Sequence, residues 1–246
     1  MKIFLYYNFE EVFYLKNVIV DYRIDEKEKN VLIQNGYTVL TVPRCDYVYN
    51  AISGHPDIQL CMIDINTIIV HKNMPYEFID KLKKLGLNVI KSKNSIKNKY
   101  PYDIILNAVN LKDFFIHNIK YTDDNLYNEV SHKCLINIKQ GYTKCSTAVI
   151  SNNAIITNDI GISQAAIKDG LDVLFLPKGD IELTDFNYGF IGGTCGLLDN
   201  NIIAFYGNLK YYKYGNEVLS FIKKYNLTPM YLRNGKLIDR GSIIFF

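Results

Sequence analysis

The sequence has no run of apolar residues approaching the roughly 20 that a helix needs to cross a bilayer. Residues 1–16 include Glu10 and Glu11, and they lack both a long apolar core and a small-residue cleavage site. This stretch therefore does not have the pattern of a secretory signal peptide. We expect a protein located in the cytoplasm, with no membrane partner.

Cysteines are few and scattered. The chain has five, Cys45, Cys61, Cys134, Cys145 and Cys195, with no C-x-x-C pair and no His/Cys cluster at zinc spacing. An odd, dispersed set is typical of free thiols in a reducing compartment. We predict neither a metal nor an organic cofactor.

An excess of charge of one sign is also missing. The 28 Lys and Arg residues are nearly balanced by 25 Asp and Glu residues, which gives a net charge of +3. No dense basic patch stands out, and the lysines between positions 81 and 99 are typical of solvated faces and loops. The sequence therefore gives no indication of a nucleic-acid partner.

What the chain does contain is a degenerate repeat. Each copy begins in a Gly-, Pro- or Tyr-containing loop and continues as an apolar strand, a polar turn and a second apolar strand, which is the pattern of a β-hairpin. The four copies are GHPDIQLCMIDINTIIVHKN from Gly54, YPYDIILNAVNLKDFFIHN from Tyr100, GYTKCSTAVISNNAIITND from Gly141 and FIGGTCGLLDNNIIAFYGN from Phe190.

Helices and further strands separate these hairpins. Residues 76–85 give the clearest helix, because Phe78, Ile79, Leu82 and Leu85 recur with helical spacing and a glycine follows. The predicted helices are residues 25–34, 76–85, 123–131, 162–168 and 216–225, followed by strands at residues 37–43, 87–91, 134–138, 172–176 and 228–232. Such spacing between copies is typical of rings and solenoids. We define the repeat as a helix–strand–hairpin module.

The fifth copy lacks one strand. Residues 236–238 and 242–246 supply part of it, while residues 1–7 and 18–21 have strand character but no hairpin partner of their own. We predict that the N-terminal strands complete the last module, because closing a ring removes exposed sheet edges. An open doubly wound sheet is the alternative, but it does not account for four antiparallel hairpins. We predict one domain over residues 1–246.

Five such modules resemble the pentein fold, an α/β-propeller with pseudo-fivefold symmetry. Guanidino-group-modifying enzymes and the ribosome anti-association initiation factor six share this fold. The strings GHPDIQ, YPYD…LNA, QGYTKCS, YGFIGG and DRGSI are also similar to those of an uncharacterised bacterial family assigned to it.

In a ring, the loops before the hairpins meet near the axis. Aligning the turns brings together Asp57, Asp103, Lys144, Gly192 and Asp239, with His55 and Cys145 beside them. Carboxylates can bind a guanidinium or amidinium ion through paired, charge-assisted hydrogen bonds. We therefore predict substrate binding by Asp57, Asp103, Lys144 and Asp239.

Two cysteines are candidate nucleophiles, with His55 as the acid/base. Cys145 follows Lys144, whose charge would lower the thiol pKa if the side chains approach. Cys195 lies in the run Gly192-Gly193-Thr194-Cys195-Gly196, which is reminiscent of the nucleophile loop of the enzymes. The alternative is that both are buried apolar thiols. We expect Cys45, Cys61 and Cys134 in the core, and His71 and His117 at the surface.

The resemblance implies a cysteine-dependent hydrolase or amidinotransferase acting on a small guanidine or amidine. The order of residues departs from the enzymes, which carry cysteine in the final module and histidine in a middle one. Two alternatives remain: a non-catalytic pentein that binds a macromolecule, as the initiation factor does, and a domain that binds a small cation. The sequence makes no prediction of oligomeric state.

Overall fold

The computed structural model describes residues 16–199 and 201–246. The strands in this part of the chain are β1 Lys16–Val20, β2 Tyr37–Thr41, β3 Leu60–Met62, β4 Thr67–Val70, β5 Asn88–Lys91, β6 Val109–Asn110, β7 Phe114–His117, β8 Cys134–Asn137, β9 Thr147–Ser151, β10 Ala154–Thr157, β11 Asp172–Phe175, β12 Cys195–Asp199, β13 Ile202–Phe205, β14 Thr228–Tyr231 and β15 Ile244–Phe245. The helices are α1 Glu26–Gln34, α2 Pro56–Gln59, α3 Tyr76–Lys84, α4 Asp124–Val130, α5 Ile160–Lys168 and α6 Gly215–Lys224. Among them there is no helix with the length and apolar character that spanning a membrane requires.

The strands form five three-stranded sheets with one shared topology. In each, the middle strand pairs antiparallel with one neighbour and parallel with the other. Modules 1 to 4 are β3-β4-β5, β6-β7-β8, β9-β10-β11 and β12-β13-β14, and module 5 is β15-β1-β2. Along the chain, helix, strand and hairpin follow one another as predicted, and only the grouping of these elements into sheets differs from the predicted module. Each hairpin pairs with the strand after its helix, since a crossover helix returns the chain parallel to the strand it left.

The two ends of the described chain form the fifth sheet. β15 pairs antiparallel with β1, with Val18 opposite Phe245 and Ile19 opposite Ile244, and β1 pairs parallel with β2. The predicted completion of the last module by N-terminal residues is thus confirmed for residues 16–20. The predicted strand at residues 1–7 lies outside the described residues. Ile238 makes a single bridge to Glu182 instead of a strand.

Five hydrophobic clusters lie between consecutive sheets. They join modules 1 and 2, 2 and 3, 3 and 4, 4 and 5, and finally 5 and 1. In β4, Ile68 and Val70 belong to the cluster shared with module 5, whereas Ile69 belongs to the cluster shared with module 2. Both faces of the middle strands are therefore buried, which accounts for their continuous apolar runs. The cyclic order of the clusters is what a closed ring of modules requires.

A glycine follows three of the helices. Gly36, Gly86 and Gly170 follow α1, α3 and α5 with φ values of +86°, +94° and +88°, in the left-handed region that glycine adopts without a Cβ clash. α5 begins two residues earlier than predicted because Asp159 caps it, accepting a hydrogen bond from the Ile162 backbone N–H.

Hydrogen bonds join the five loops that precede the hairpins, and they do so in a closed circuit. The bonds are Asp57 N to Gly241 O (3.1 Å), Asn107 Nδ2 to Asp57 O (2.8 Å), Lys144 N to Asn107 O (3.2 Å), Gly193 N to Cys145 O (3.1 Å) and Ser242 N to Gly193 O (3.1 Å). Gly192 lies so close to module 3 that a Cβ there would be 2.2 Å from the Lys144 carbonyl oxygen. The loops before the hairpins therefore converge, as the sequence predicts.

Three side chains lie in surroundings other than those predicted. His71 and His117 are buried. His117 is held by Thr122 Oγ1 and Ile104 O through its two ring nitrogens. Cys134 is exposed, because the outer strand β8 has an open face, whereas Cys45 and Cys61 are buried as predicted.

Candidate functional site

The convergent loops bring one thiol, one imidazole and one carboxylate together. The sulfur of Cys145, a ring nitrogen of His55 and a carboxylate oxygen of Asp57 all lie within 4.8 Å of one another. His55 immediately precedes the short helix α2, whose first residue Pro56 fixes the backbone, and Cys145 lies two residues before β9. Each of the three side chains is at most 3% exposed.

Two polar neighbours fix the thiol. Asn107 Nδ2 donates to Cys145 Sγ at 3.2 Å, and Cys145 Sγ lies 3.3 Å from Asp57 Oδ1, to which it can donate its proton. The other end of the Asn107 amide accepts from the backbone N–H of Lys144 at 2.9 Å. Because both ends of this amide are bonded, its orientation is defined and the sulfur has one preferred position.

A second set of bonds orients Asp57. Its Oδ2 lies 2.7 Å from Ser242 Oγ, which also lies 2.8 Å from the Gly192 carbonyl oxygen. Lys144 Nζ donates to the same hydroxyl at 2.8 Å. Lys144 therefore acts on Asp57 through Ser242, and its ammonium group is occupied away from the thiol.

Asp239 is a second carboxylate next to His55. Its carboxylate accepts from the backbone N–H groups of Phe190 (2.8 Å) and Gly241 (3.1 Å), and Asp239 Oδ1 is 3.9 Å from His55 Nδ1. Among the described residues, neither ring nitrogen of His55 has a hydrogen-bond partner, although the side chain is only 1% exposed. A buried imidazole without partners is costly, so this ring is placed for a group that the protein itself does not supply.

The electrostatic surroundings of the thiol are anionic. Burial, and then the charges of Asp57 and Asp239, raise the pKa of Cys145 well above its usual value. The expectation that Lys144 lowers the pKa of this thiol is therefore wrong, because its ammonium group is held on Ser242. Burial likewise raises the pKa of Asp239. Among the described residues that line the aromatic cleft there is no lysine or arginine, and a cationic ligand would provide a positive charge there.

A cavity of about 330 Å³ leads to Cys145, His55 and Asp239. Its walls come from the loop before α2, from the loop before β9 and from residues 183–190. Five aromatic rings dominate these walls: Tyr49, Tyr142, Phe186, Tyr188 and Phe190. The Tyr49 and Tyr142 hydroxyls are 3.1 Å apart, and the Tyr49 and Phe186 ring centroids are 5.6 Å apart. The chemical groups thus lie at the base of an aromatic cleft.

Other predicted site residues lie further from the thiol. Asp103 is behind the cavity wall, where Tyr142 Oη donates to its Oδ2. Asp57, Lys144 and Gly192 each lie three residues before a hairpin strand, whereas Asp103 lies six residues before Val109, so the alignment was out of register there. Lys144 lines a separate cavity of about 80 Å³ together with Asp57.

Cys195 belongs to the hydrophobic cluster between modules 3 and 4 and does not line the aromatic cleft. Its sulfur lies 3.6 Å from the Ile191 carbonyl oxygen, and burial raises the pKa of the thiol to about 11. The Gly-rich run around it serves close packing: a Cβ on Gly193 would lie 1.8 Å from Asp239 Oδ1.

Sequence reasoning missed Asn107, Ser242 and the aromatic walls. Every module has a buried polar side chain one or two residues before its first strand. These residues are Gln59, Asn107, Ser146, Thr194 and Ser242. A polar residue recurring just before an apolar strand was a visible signal. The aromatic residues of positions 183–190 had no such signal, because they lie in an irregular connection between β11 and β12.

The donor set also matches one that binds zinc. A thiolate, an imidazole and a carboxylate are the ligands that zinc prefers, and three protein ligands are the usual number at catalytic zinc sites. His55, Asp57 and Cys145 would hold such an ion. The same three groups, with Asp239, are equally suited to an organic cation.

Comparison with known proteins assigns the chain to a family. Residues 19–244 match the family described as "Family of unknown function (DUF6873)". The chain belongs to this family. No curated protein matches the sequence.

Solved structures reveal the fold. One similar structure is SxtG, an amidinotransferase from Microseira wollei in the saxitoxin biosynthetic pathway, with a TM-score of 0.57, 12% identity and 88% of each chain covered. Another is the inosamine-phosphate amidinotransferase StrB1 from Streptomyces griseus, with a TM-score of 0.56, 11% identity and coverage of 94% of this chain and 93% of that one. An agmatine deiminase from C. jejuni has a TM-score of 0.46 and 13% identity, with coverage of 73% and 67%. The first two matches show that the chain has the pentein fold predicted from its repeats.

Proposed function

We propose that this protein is a cysteine-dependent enzyme that acts on a small guanidine or amidine, with Cys145 as nucleophile and His55 as general acid/base. The observation that carries the proposal is the group of Cys145, His55 and Asp57 within 4.8 Å, of which Cys145 and His55 line the aromatic cleft together with Asp239. Nucleophile and base need contact of this kind, with a further carboxylate to orient the substrate. Cys195 is left out because it does not line that cavity.

Substrate binding compensates the negative charge of the site. Asp239 lines the cleft beside His55, and a planar guanidinium can donate paired hydrogen bonds to such a carboxylate, while Asp57 contacts Cys145 Sγ from outside the cleft lining. Both carboxylates raise the pKa of the free thiol. A cation placed near them opposes that effect, so deprotonation of Cys145 becomes favourable only when substrate is bound.

The first chemical step replaces nitrogen by sulfur. His55 takes the thiol proton, the Cys145 thiolate attacks the central carbon and a C–S bond forms. One C–N bond then breaks, and His55 returns the proton to the departing nitrogen, which leaves as an amine or as ammonia. The product is a covalent amidino–Cys145 intermediate, so the electron pair of the C–N bond leaves with the nitrogen and no oxidant or metal is needed.

The second step transfers the carbon group to an acceptor. If water attacks, the protein is a hydrolase; if an amine attacks, it is an amidinotransferase. The amidinotransferases SxtG and StrB1 share the fold, and this likeness supports chemistry at an amidine carbon as the common first step.

Selective alkylation of the cysteines tests the proposal. The protein, treated with a chelator to keep the thiols metal-free, is reacted with iodoacetamide at neutral pH. Sites are then quantified by peptide mass spectrometry, with and without millimolar guanidinium. The ratio with and without ligand is taken at each cysteine, since exposed Cys134 reacts regardless of the site. We expect guanidinium to alter the rate at Cys145 and to leave Cys134 unchanged.

Cys195 is the matched buried control, because it has the same residue type and a similar exposure but lies away from the cavity. If guanidinium leaves the Cys145 rate unchanged and Cys145 is as inert as Cys195, the enzyme proposal fails. A non-catalytic pentein that binds a macromolecule would then be favoured.

A further inference from the structure

The aromatic cleft lacks positive charge along its walls. Among the described residues that line it, no side chain is a lysine or an arginine. Cations near the cleft have other partners. Lys144 Nζ is held by Ser242, and Arg240 lies 3.4 Å from Glu28 and donates to the Arg23 carbonyl oxygen. Lys236, which lines an adjoining cavity with Phe186 and Asn187, is paired with Asp180 at 3.1 Å. The charged groups that do face or back the cleft are Asp239, His55 and, behind Tyr142, Asp103.

An anionic group on a ligand would therefore have no lysine or arginine to pair with among the described residues of these walls. A carboxylate or phosphate that enters a partly dehydrated cleft loses hydration and would need a cation or several donors in return. Here it would instead approach rings and the negative charges of Asp239 and Asp103. Burial and the bond to Asp103 raise the pKa of Tyr142, so this wall is an uncharged phenol at neutral pH.

An apolar group meets the opposite conditions. Tyr49, Phe186 and Tyr188 offer ring faces and edges, and Ile52 and Leu183 add aliphatic surface. Phe186 is 50% exposed, so its ring still has apolar surface to bury. Burial of a ligand's carbon chain against such rings is favourable, and the rings also attract a delocalised cation through their faces.

We infer that the substrate is a monocationic guanidine or amidine whose remaining part is uncharged and largely apolar, and that amino acids and other acids bearing the guanidino group are excluded. This inference rests on the proposed function, since it takes the guanidinium to bind at Cys145 and His55. The cavity of about 330 Å³ is near the lower end of the volumes of ligand sites, which suits a short alkyl or single-ring tail.

Four probes separate the head group from the tail. Free guanidinium tests the head group alone, butylguanidine and benzylguanidine add an apolar tail, and 4-guanidinobutyrate has butylguanidine's chain length with a terminal carboxylate. The affinity of each is measured by its concentration-dependent effect on alkylation of Cys145 and by isothermal titration calorimetry. We expect butylguanidine to bind at least tenfold more tightly than 4-guanidinobutyrate.

A charge-gain variant gives a matched control. Asn187 is exposed on the cleft wall, and Asn216 is exposed on α6 away from the cleft. Asn187→Lys adds a cation to the wall, and we expect it to improve binding of 4-guanidinobutyrate severalfold relative to butylguanidine. Asn216→Lys makes the same change in net charge and should alter neither affinity.

The outcomes distinguish the two proposals. One outcome is that guanidinium, butylguanidine and 4-guanidinobutyrate all bind, and that 4-guanidinobutyrate binds as tightly as butylguanidine or more tightly. The inferred substrate class is then wrong and the proposed function stands. If no probe binds and none alters alkylation of Cys145, both fail. The inferred class is supported if butylguanidine and benzylguanidine bind more tightly than 4-guanidinobutyrate, and if binding of 4-guanidinobutyrate improves in Asn187→Lys but not in Asn216→Lys.

Discussion

Cys145 lies two residues before β9, Cys195 is the first residue of β12 in the next module, and both are almost completely buried. Cys145 touches an amide and a carboxylate and lies at the end of a cavity, whereas Cys195 touches one carbonyl oxygen and is packed in a hydrophobic cluster. The two cysteines are two residues apart in the register of the repeat. Whether a buried thiol reaches the cleft or packs in the core therefore depends on its position relative to the strand and on what the adjacent modules contribute.

The largest expected effect comes from removing each sulfur in turn. Cys145→Ser should lower the turnover of butylguanidine, followed as release of butylamine, by about 10³-fold or more, because a hydroxyl is a far weaker nucleophile at neutral pH. Cys195→Ser should stay within about threefold of the wild type at temperatures below unfolding. Equal losses in the two variants would remove the distinction between the cysteines.

The next effect concerns the glycines beside Cys195. A Cβ at Gly192 would lie 2.2 Å from the Lys144 carbonyl oxygen and 2.3 Å from that of Thr147, and backbone atoms cannot yield locally. Gly192→Ala should lower the free energy of unfolding by about 3 kcal/mol or more, measured by urea denaturation.

Gly235→Ala is the control for this variant, because the nearest atoms to its Cβ would be 3.4 Å away on the flexible Arg233 side chain. We expect a change within about 0.5 kcal/mol. Comparable stabilities of the two variants would show that the loop around Cys195 is not a packing element.

Two buried histidines also differ: neither ring nitrogen of His55 has a hydrogen-bond partner among the described residues, whereas those of His117 both have one. His117 has both nitrogens bonded within the core, and burial lowers its pKa to about 4. His117 is therefore harder to protonate in the folded state than in the unfolded state. Its contribution to the free energy of unfolding is fully present above pH 6.5 and is lost as the pH falls from 6.5 towards 4. For one such group the loss is at most about 3 kcal/mol.

The check is the slope of unfolding free energy against pH between 4 and 6.5. His117→Gln should flatten this slope, whatever it does to stability at neutral pH, and exposed His132→Gln should leave it unchanged. Burial also lowers the pKa of His71 to about 4, so part of the slope should persist in His117→Gln. An unaltered slope in that variant would contradict the buried neutral imidazole.

Much of the fold could be predicted because each helix and hairpin has a local signal. The glycines after α1, α3 and α5 and the polar turns between apolar runs define elements within a few residues. What the sequence does not encode locally is pairing between elements, so the hairpins were assigned to the strand before them instead of the strand after. The convergence of the loops could be predicted from ring symmetry alone.

The site could be predicted only in part. His55, Asp57, Cys145 and Asp239 come together because they lie close to the axis in their copies. Asp103 was misplaced because module 2 has a longer approach to its hairpin. The aromatic walls could not be foreseen, since residues 183–190 fold against loops that are distant in sequence.

The smallest effect, and the sharpest test of the Cys145 surroundings, is expected from Asp57→Asn. The variant keeps the size of the side chain and one acceptor oxygen, replaces the other oxygen by an NH2 donor, and removes the negative charge 3.3 Å from the sulfur. Since that charge raises the pKa of Cys145, its loss should lower the pKa and increase iodoacetamide alkylation at pH 7 by about three- to tenfold, tenfold corresponding to one pKa unit. The same change removes a partner for the cation, so guanidinium should affect alkylation less in the variant than in the wild type.

Asp103→Asn is the control, because its carboxylate lies behind Tyr142 and should alter neither quantity. Slower alkylation in Asp57→Asn would mean that Asp57 promotes loss of the thiol proton as a base; faster alkylation with weaker guanidinium dependence would mean that it holds the thiol neutral until a cation arrives.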